Sequence, residues 1–247
     1  GAEFARVHAE VWEQTRRGAT PFRVAEPIAW LPGPRVQIVA AAAGTSLEEV
    51  VRQGDNAQTA VGLAARAVAG LHRLPVTPRW ERSPDDEATR VENLEATIAT
   101  NWPAATGRAA EVARAIGDGA AGPRALAHAD LKPDHVLLDG EGATLLDLDR
   151  LTLGDPLLDV ANLLYFLNAP TGRRPGCGRP LARPARDLVA AYLAEAPPEW
   201  APLLPTRYAR TVFAKAAGSV RGRGAAGRAR AEAMLREAEA ALAGRLW

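Results

Sequence analysis

Cysteine is nearly absent from this chain. Cys177 stands alone in 247 residues, which excludes an intrachain disulfide framework and fits a reducing, cytoplasmic setting. No apolar run reaches bilayer-spanning length, and the N-terminal residues lack a signal-peptide pattern, so no membrane role is expected. Strong charge of either sign is also missing. Lys plus Arg number 30 against 29 Asp plus Glu, a formal net charge of +1, so nothing argues for nucleic acid as principal partner. Internal repeats are not seen. Lysine is scarce beside arginine, alanine, glycine and proline, a usage that suggests a high-GC bacterial genome. What the chain does have is apolar content of 47%, ample for one large domain or two small ones, although much of it is alanine.

The richest stretch is His128-Ala129-Asp130-Leu131-Lys132-Pro133-Asp134-His135. Two short apolar runs follow, Val136-Leu137-Leu138 and Thr144-Leu145-Leu146, separated by Asp139-Gly140-Glu141-Gly142. Asp-Gly between two such runs predicts a β-hairpin. A hairpin returns the chain, so His135, just before the first strand, should lie beside Asp147, just after the second. Asp130, Lys132, His135 and Asp147 would then share one small site. Phosphoryl transfer needs a metal ligand, a group for the attacking hydroxyl and a cation for the transferred group. Asp147 suits the metal, Asp130 the hydroxyl and Lys132 the phosphate.

These residues resemble the catalytic core of protein-kinase-like phosphotransferases. That family's catalytic loop runs His-Arg-Asp, four residues, then Asn; here His128-Ala129-Asp130 is followed by four residues and His135. Asp147-Leu148-Asp149 stands where the fold has its metal-binding Asp-Phe-Gly. Gly154-Asp155-Pro156-Leu157-Leu158-Asp159-Val160-Ala161 is similar to the Gly-Asp-Pro-x-x-Asp segment of the aminoglycoside phosphotransferase family, with Asp155 set to cap the next helix and Pro156 in its first turn. The resemblance implies an α+β, mostly helical, protein-kinase-like fold, with ATP and Mg2+ as cosubstrate and metal. It implies Asp130 and Lys132 as catalytic residues, Lys132 also touching the nucleotide, and His135 and Asp147 at the metal. His128 and Asp159 would support the loop. His135 departs from the usual Asn. Magnesium prefers oxygen to imidazole nitrogen, so three roles stay open: direct ligation, a hydrogen bond to a metal-bound water, or orientation of Asp130.

Helical periodicity predicts a first helix over 3–17 with Phe4, Val7 and Val11 on one face. Strands are expected near 28–30 and 36–40, with the turn Leu31-Pro32-Gly33-Pro34 between them. The resemblance makes the first helix the small-lobe helix whose glutamate partners a nucleotide-binding lysine, with Glu10 the candidate and Glu13 its rival. It makes residues 41–44 the adenine-binding hinge, through the backbone of Ala41 and Ala43. Residues 1–43 then form a partial small lobe, and residues 44–247 the helical large lobe carrying the catalytic hairpin. Ser46 or Thr45 is expected to cap a helix, and Val61, Ala64, Val68 and Leu71 to continue a helical stripe. His72 reads as a helix-end residue. Asp85, Asp86, Glu87, Glu92 and Glu95 read as a solvated helix face, or alternatively as an acidic wall for a cationic substrate. Residues 171–184 read as a mobile loop, with helices near 185–195, 206–220 and 225–245, the last laced by i,i+4 Arg–Glu pairs.

The first sixty residues contain neither lysine nor a Gly-x-Gly-x-x-Gly loop, both of which the kinase fold carries ahead of its first helix. A shortened sequence, a partner chain supplying those strands, and a relic that works without nucleotide are the three explanations, the first being favoured. The acceptor would be a hydroxyl of a small molecule, aminoglycoside-like or another alcohol. A peptide Ser or Thr in a natural-product pathway, or a pseudokinase scaffold without catalysis, are the alternatives.

Overall fold

Val7 and Val11, four residues apart, are both buried, and they turn one face of helix α1 (Ala2–Arg17) onto the core. The computed structural model describes residues 2–18, 20–54, 56–140, 142–168, 181–222 and 224–245. Cys177 and residues 171–180 of the expected mobile loop lie outside the described residues. After α1 the chain forms β1 (Phe22–Val24), then the antiparallel ribbon β2 (Pro27–Leu31) and β3 (Val36–Val39) on either side of the Pro-Gly-Pro turn. The ribbon pairs with no third strand among the described residues, and Ile28, Val36, Ile38 and Val39 stay exposed on it.

The two-residue strand β4 (Thr45–Ser46) leads into α2 (Leu47–Gln53), whose Ser46 hydroxyl accepts from Glu49 N. Ser46 rather than Thr45 is thus the cap. Helix α3 (Ala57–His72) buries Val61, Ala64, Val68 and Leu71, the stripe its periodicity predicts. Helices α4 (Pro84–Asn101) and α5 (Thr106–Gly117) follow. Strand β5 (Ala125–Ala127) leads to the hairpin β6 (Val136–Leu138) and β7 (Ala143–Leu145), and β8 (Thr152–Gly154) precedes α6 (Leu157–Asn168). Helices α7 (Arg183–Leu193), α8 (Leu204–Val220) and α9 (Gly224–Leu242) complete the large lobe. Tyr208, Val212, Phe213 and Ala216 on α8 are fully buried; each of the larger ones adds roughly 1.5–3 kcal/mol of apolar burial. No helix among the described residues is long and apolar enough to cross a membrane.

Several elements go beyond the periodicity reading. β1 pairs in parallel with β7, so the hairpin sits inside the sheet β1-β7-β6-β4, which joins both halves of the chain. β5 and β8 form a separate antiparallel pair. These strands of two or three residues are too short to show a period; long-range pairing makes them. Helix α7 begins at Arg183, inside the stretch expected as loop, with Pro184 in its first turn. On α9 the expected i,i+4 pairing occurs at Glu232 and Arg236, but Glu232 and Glu239 also both pair with Arg108 of α5, tying two helices together.

Candidate active site

The hairpin register sets Val136 opposite Leu145, and Leu146 N donates to His135 O at 2.9 Å. The next residue, Asp147, takes the left-handed conformation at φ 58°, which turns its carboxylate back toward the start of β6. His135 Nε2 lies 3.5 Å from Asp147 Oδ2 and 3.8 Å from Asp134 Oδ1. His135 is buried and its ring stacks on His128 at 5.7 Å, while Asp147 is about half exposed. His135 Nδ1 is buried without a partner among the described residues. The proton of a neutral His135 therefore belongs on Nε2, facing the two carboxylates.

The loop between β5 and β6 is pinned by one face of α6. Asp159 Oδ2 accepts from His128 N at 2.6 Å, and Asp159 Oδ1 from Ala129 N at 2.8 Å. Asn162 Nδ2 donates to Leu131 O at 2.6 Å. His128 Nε2 is 2.8 Å from Leu146 O, joining the loop to the hairpin's far strand. Behind Asp159, His72 Nε2 lies 3.1 Å from Oδ2, and His72 Nδ1 is 2.8 Å from the Tyr192 hydroxyl. Burial alone would raise the Asp159 carboxyl, but the bonds from His72 and the loop backbone hold it below its ordinary value. With its backbone so fixed, Asp130 presents a carboxylate one-third exposed, and Lys132 Nζ reaches Asp130 Oδ2 at 3.2 Å. Asp149, exposed nearby, has its carboxyl pushed up by partial desolvation and by the Asp147 and Asp130 charges. Asp130, Lys132, His135 and Asp147 thus gather at one end of the hairpin.

Residues 41–43 lie outside any strand or helix, with Ala41 and Ala43 exposed. They adjoin the hairpin because Gly44, at φ +127°, presses on β6: a Cβ there would sit 2.8 Å from Leu138 O, so only glycine fits. Thr45 then pairs with Leu138. Glu10 and Glu13, the two lysine-partner candidates, are bound by arginines of their own helix. Glu10 meets Arg6 at 2.7 Å, and Glu13 meets Arg16 and Arg17 at 2.9 and 2.5 Å. The lysines of the chain are Lys132 and Lys215 alone, and neither is their partner.

Asp155 caps α6 as its position predicts, accepting from Leu157 N at 3.0 Å. It also forms a buried pair with Arg207 at 2.7 Å, and Arg207 donates onward to Ala120 O at 2.7 Å. The acidic run on α4 divides among several duties. Asp86 closes a capping box with Ser83, Glu87 pairs with Arg210 at 2.5 Å, and Asp85 and Glu92 are exposed. Most of the run is therefore a solvated or capping face. Sequence reasoning missed His72 as a support of the loop, and also Asn162, Arg207 and Lys215. Only Asn162, one helical turn after Asp159, left a signal in its spacing.

Asp147 and His135 do not form a closed metal cage: among the described residues no group of three or more His, Cys, Asp or Glu side chains is placed to hold an ion. Magnesium does not need one. It keeps several waters and binds through one or two carboxylates together with substrate phosphates, and a half-exposed Asp147 carboxylate suits that mode.

Comparison with known proteins agrees with this geometry. The chain superposes on a choline/ethanolamine kinase family protein from Mesorhizobium loti with a TM-score of 0.65 at 18% identity, covering 98% of this chain and 83% of that one. It superposes on the aminoglycoside phosphotransferase APH(2")-IIa in its gentamicin complex with a TM-score of 0.64 at 12% identity, covering 99% and 84%. A thermostable APH(4)-Ia in its apo form gives 0.64 at 17% identity, covering 99% and 85%. At these identities the likeness establishes the protein-kinase-like fold. No curated protein matches the chain by sequence. Residues 3–204 match the model of the phosphotransferase enzyme family, APH, and the chain belongs to that family of kinase-type enzymes.

Proposed function

We propose that this protein moves the γ-phosphoryl group of ATP to a hydroxyl of a small-molecule acceptor, with Asp130 as the group that receives the hydroxyl proton. The observation that carries this reading is the cluster at the hairpin end. Asp130 stands on a loop whose backbone Asp159 and Asn162 clamp, with Lys132 3.2 Å from its carboxylate, and with Asp147 and His135 3.5 Å apart beside it. The acceptor oxygen attacks the γ-phosphorus as its proton passes to Asp130. The bond to the β–γ bridging oxygen breaks and ADP leaves with that electron pair. Lys132 steadies the charge spread over the transferred oxygens. Asp147 would hold magnesium, which when bound neutralises charge on the phosphate oxygens. His135, with its proton on Nε2, orients Asp147 or a water beside it; this favours the hydrogen-bonding role over direct ligation. The exposed backbone at Ala41 and Ala43, set against β6 by Gly44, is the proposed seat of the adenine ring. Glu10 has Arg6 as its partner, and its proposed place beside the nucleotide rests on position in α1 alone.

ATP use is supported by solved relatives of the same fold, among them a streptomycin–ATP complex of APH(2")-IIa. The test is phosphoryl transfer from ATP with magnesium, followed alongside thermal stabilisation by the same nucleotide. Asp130→Ala is expected to lower turnover by about 10²–10⁴-fold with the cooperative unfolding transition kept, because Asp130 is partly exposed and pairs only with Lys132 among the described residues. Turnover by that variant at the wild-type rate sinks the reading.

A further inference from the structure

Beside Asp130, away from His135 and Asp147, three cations and four carboxylates share one wall of the site. A cavity of about 270 Å³ opens there, lined by Asp130, Arg82, Arg210 and Lys215 among others, and neither His135 nor Asp147 borders it. It adjoins a second cavity of about 340 Å³ that shares Arg82 and Arg210. Four carboxylates line the first cavity, and all four are engaged. Asp159 holds the loop backbone and His72, Asp155 pairs with Arg207, Glu87 pairs with Arg210 at 2.5 Å and faces Arg90 at 3.6 Å, and Asp130 meets Lys132. Among the described residues, Arg82 and Lys215 have no carboxylate within ion-pair distance.

Both cations are held in place. Residues 80–82 run beside β8: Leu153 N donates to Trp80 O at 3.1 Å, and Arg82 N donates to Leu153 O at 2.9 Å. Arg82 therefore enters the cavity from a fixed backbone, just before the Ser83 cap of α4. Lys215 Nζ sits over the rings of Phe166 and Tyr165, at 4.9 and 5.3 Å from their centroids. The two charges are costly where they are. Burial, and then Arg90, Arg150 and Arg210, disfavour the Arg82 cation against the opposing pull of Glu87; burial, Lys132 and Arg210 disfavour the Lys215 cation against that of Asp130. Arg210 Nε is also buried without an acceptor among the described residues. Half-buried cations that line one cavity with Asp130 and have no carboxylate within ion-pair distance among the described residues are groups waiting for an anion.

On the phosphotransferase reading above, we propose that the acceptor is a small anionic alcohol, a hydroxy acid or a hydroxyl-bearing phosphate ester, whose anionic group is held by Arg82 and Lys215 while its hydroxyl faces Asp130. The acceptor oxygen forms a bond to the γ-phosphorus of ATP, the bond to ADP breaks, and the hydroxyl proton goes to Asp130. A cationic aminoglycoside would instead meet two like charges.

The test uses glycerate, glycerol 3-phosphate and a series of longer hydroxy acids and sugar phosphates, with glycerol and glucose as neutral counterparts and choline and kanamycin as cations. Binding is followed by calorimetry and transfer by ADP release, in wild type, Arg82→Gln and Lys215→Gln. Anions should bind and react in preference to their neutral counterparts. Each variant should weaken anion binding and raise KM for the anion by about tenfold, as loss of one charge-assisted hydrogen bond does. The carboxylate and phosphate arms show which anion is taken. Preference for neutral or cationic acceptors, or no anion binding while magnesium ATP still stabilises the protein, overturns this inference and leaves the phosphotransferase reading standing. Anion binding that depends on Arg82 and Lys215, with no phosphoryl transfer to any acceptor, overturns the phosphotransferase reading and leaves the anion site.

Discussion

Asp159 holds Ala129 in a conformation that an alanine rarely adopts. Ala129 has φ 65°, in the left-handed region, and its N–H donates to Asp159 Oδ1 at 2.8 Å. The left-handed turn carries the chain from the buried His128 to the partly exposed Asp130, so the position of Asp130 depends on a carboxylate thirty residues beyond Ala129.

Replacing Asp159 by Asn separates charge from shape. The amide offers one acceptor oxygen where the carboxylate satisfies two backbone N–H groups, so one buried donor at His128 or Ala129 is left facing an NH2. The expected destabilisation is about 1–3 kcal/mol, and turnover should fall with it because Asp130 loses its fixed backbone. Urea unfolding and steady-state kinetics check both. An Asp159→Asn protein with native stability and turnover would show that the clamp is dispensable.

Ala129→Gly is the complementary change. Glycine adopts φ near 65° without the Cβ penalty, which relieves roughly 1 kcal/mol of strain, while its unfolded chain gains freedom of similar size. Stability should therefore stay within about 1 kcal/mol of wild type and activity should persist. Ala129→Val, β-branched at positive φ, should lose both. Thermal melts of the pair distinguish them.

The hairpin end was the part of the site most legible in the sequence, and the reason is local. Asp139 and Gly140 begin the reversal, the hairpin sets the register of three residues on each side, and that register brings residues 135 and 147 to the same end of the ribbon, where the left-handed backbone of Asp147 turns its carboxylate inward. Asp155 was legible because a cap announces itself by position before a helix. His72 and Lys215 were not. The His72–Asp159 bond spans 87 residues, and Lys215 reaches the neighbourhood of Asp130 only because α8 packs on α6. No short-range pattern encodes such packing. The parallel partner of β1 was hidden for the same reason.

Asp147 and His135 make separable demands on magnesium. Asp147→Asn removes the half-exposed carboxylate and should raise the magnesium concentration for half-maximal activity by at least about tenfold, a loss of roughly 1.4 kcal/mol or more. His135→Asn should remain active, because Nε2 faces Asp147 rather than an open coordination position, and an amide NH2 can donate in its place. Magnesium titration of activity separates the two variants. A His135→Asn protein as defective in magnesium use as Asp147→Asn would assign the imidazole to the metal.

Asp155 lines the cavity beside Asp130 but is held by Arg207 in a buried pair, and breaking that pair should show in stability first. Asp155→Ala strands the Arg207 guanidinium and removes the acceptor for Leu157 N, a loss of about 3–5 kcal/mol. Replacing both partners at once, Asp155→Ala with Arg207→Met, should cost less than the sum of the two single changes, because no charge is left buried alone. A double-mutant cycle on unfolding free energies measures the coupling.

Glu237 offers a pH test far from the site. Its carboxylate on α9 is buried, accepts from the Tyr208 hydroxyl, and lies 3.1 Å from Asn168 Nδ2, while Oε2 has no partner among the described residues. Burial raises its pKa above 4.5 against the pull of those two donors. The folded state therefore holds this proton more tightly than the unfolded chain does. The sign follows: the stability Glu237 contributes is fully present below pH 4.5, is lost as pH rises through the higher folded value, and stays lost at neutral pH. Glu237→Gln keeps an oxygen for Tyr208 and Asn168 and removes the buried charge. At neutral pH the variant should be more stable by about 1 kcal/mol, and the gain should vanish below pH 4.5, where the wild-type carboxyl is protonated too. Denaturant unfolding of both proteins from pH 4 to 8 checks it, and a gain that is the same at every pH would mean that Glu237 does not titrate in that window.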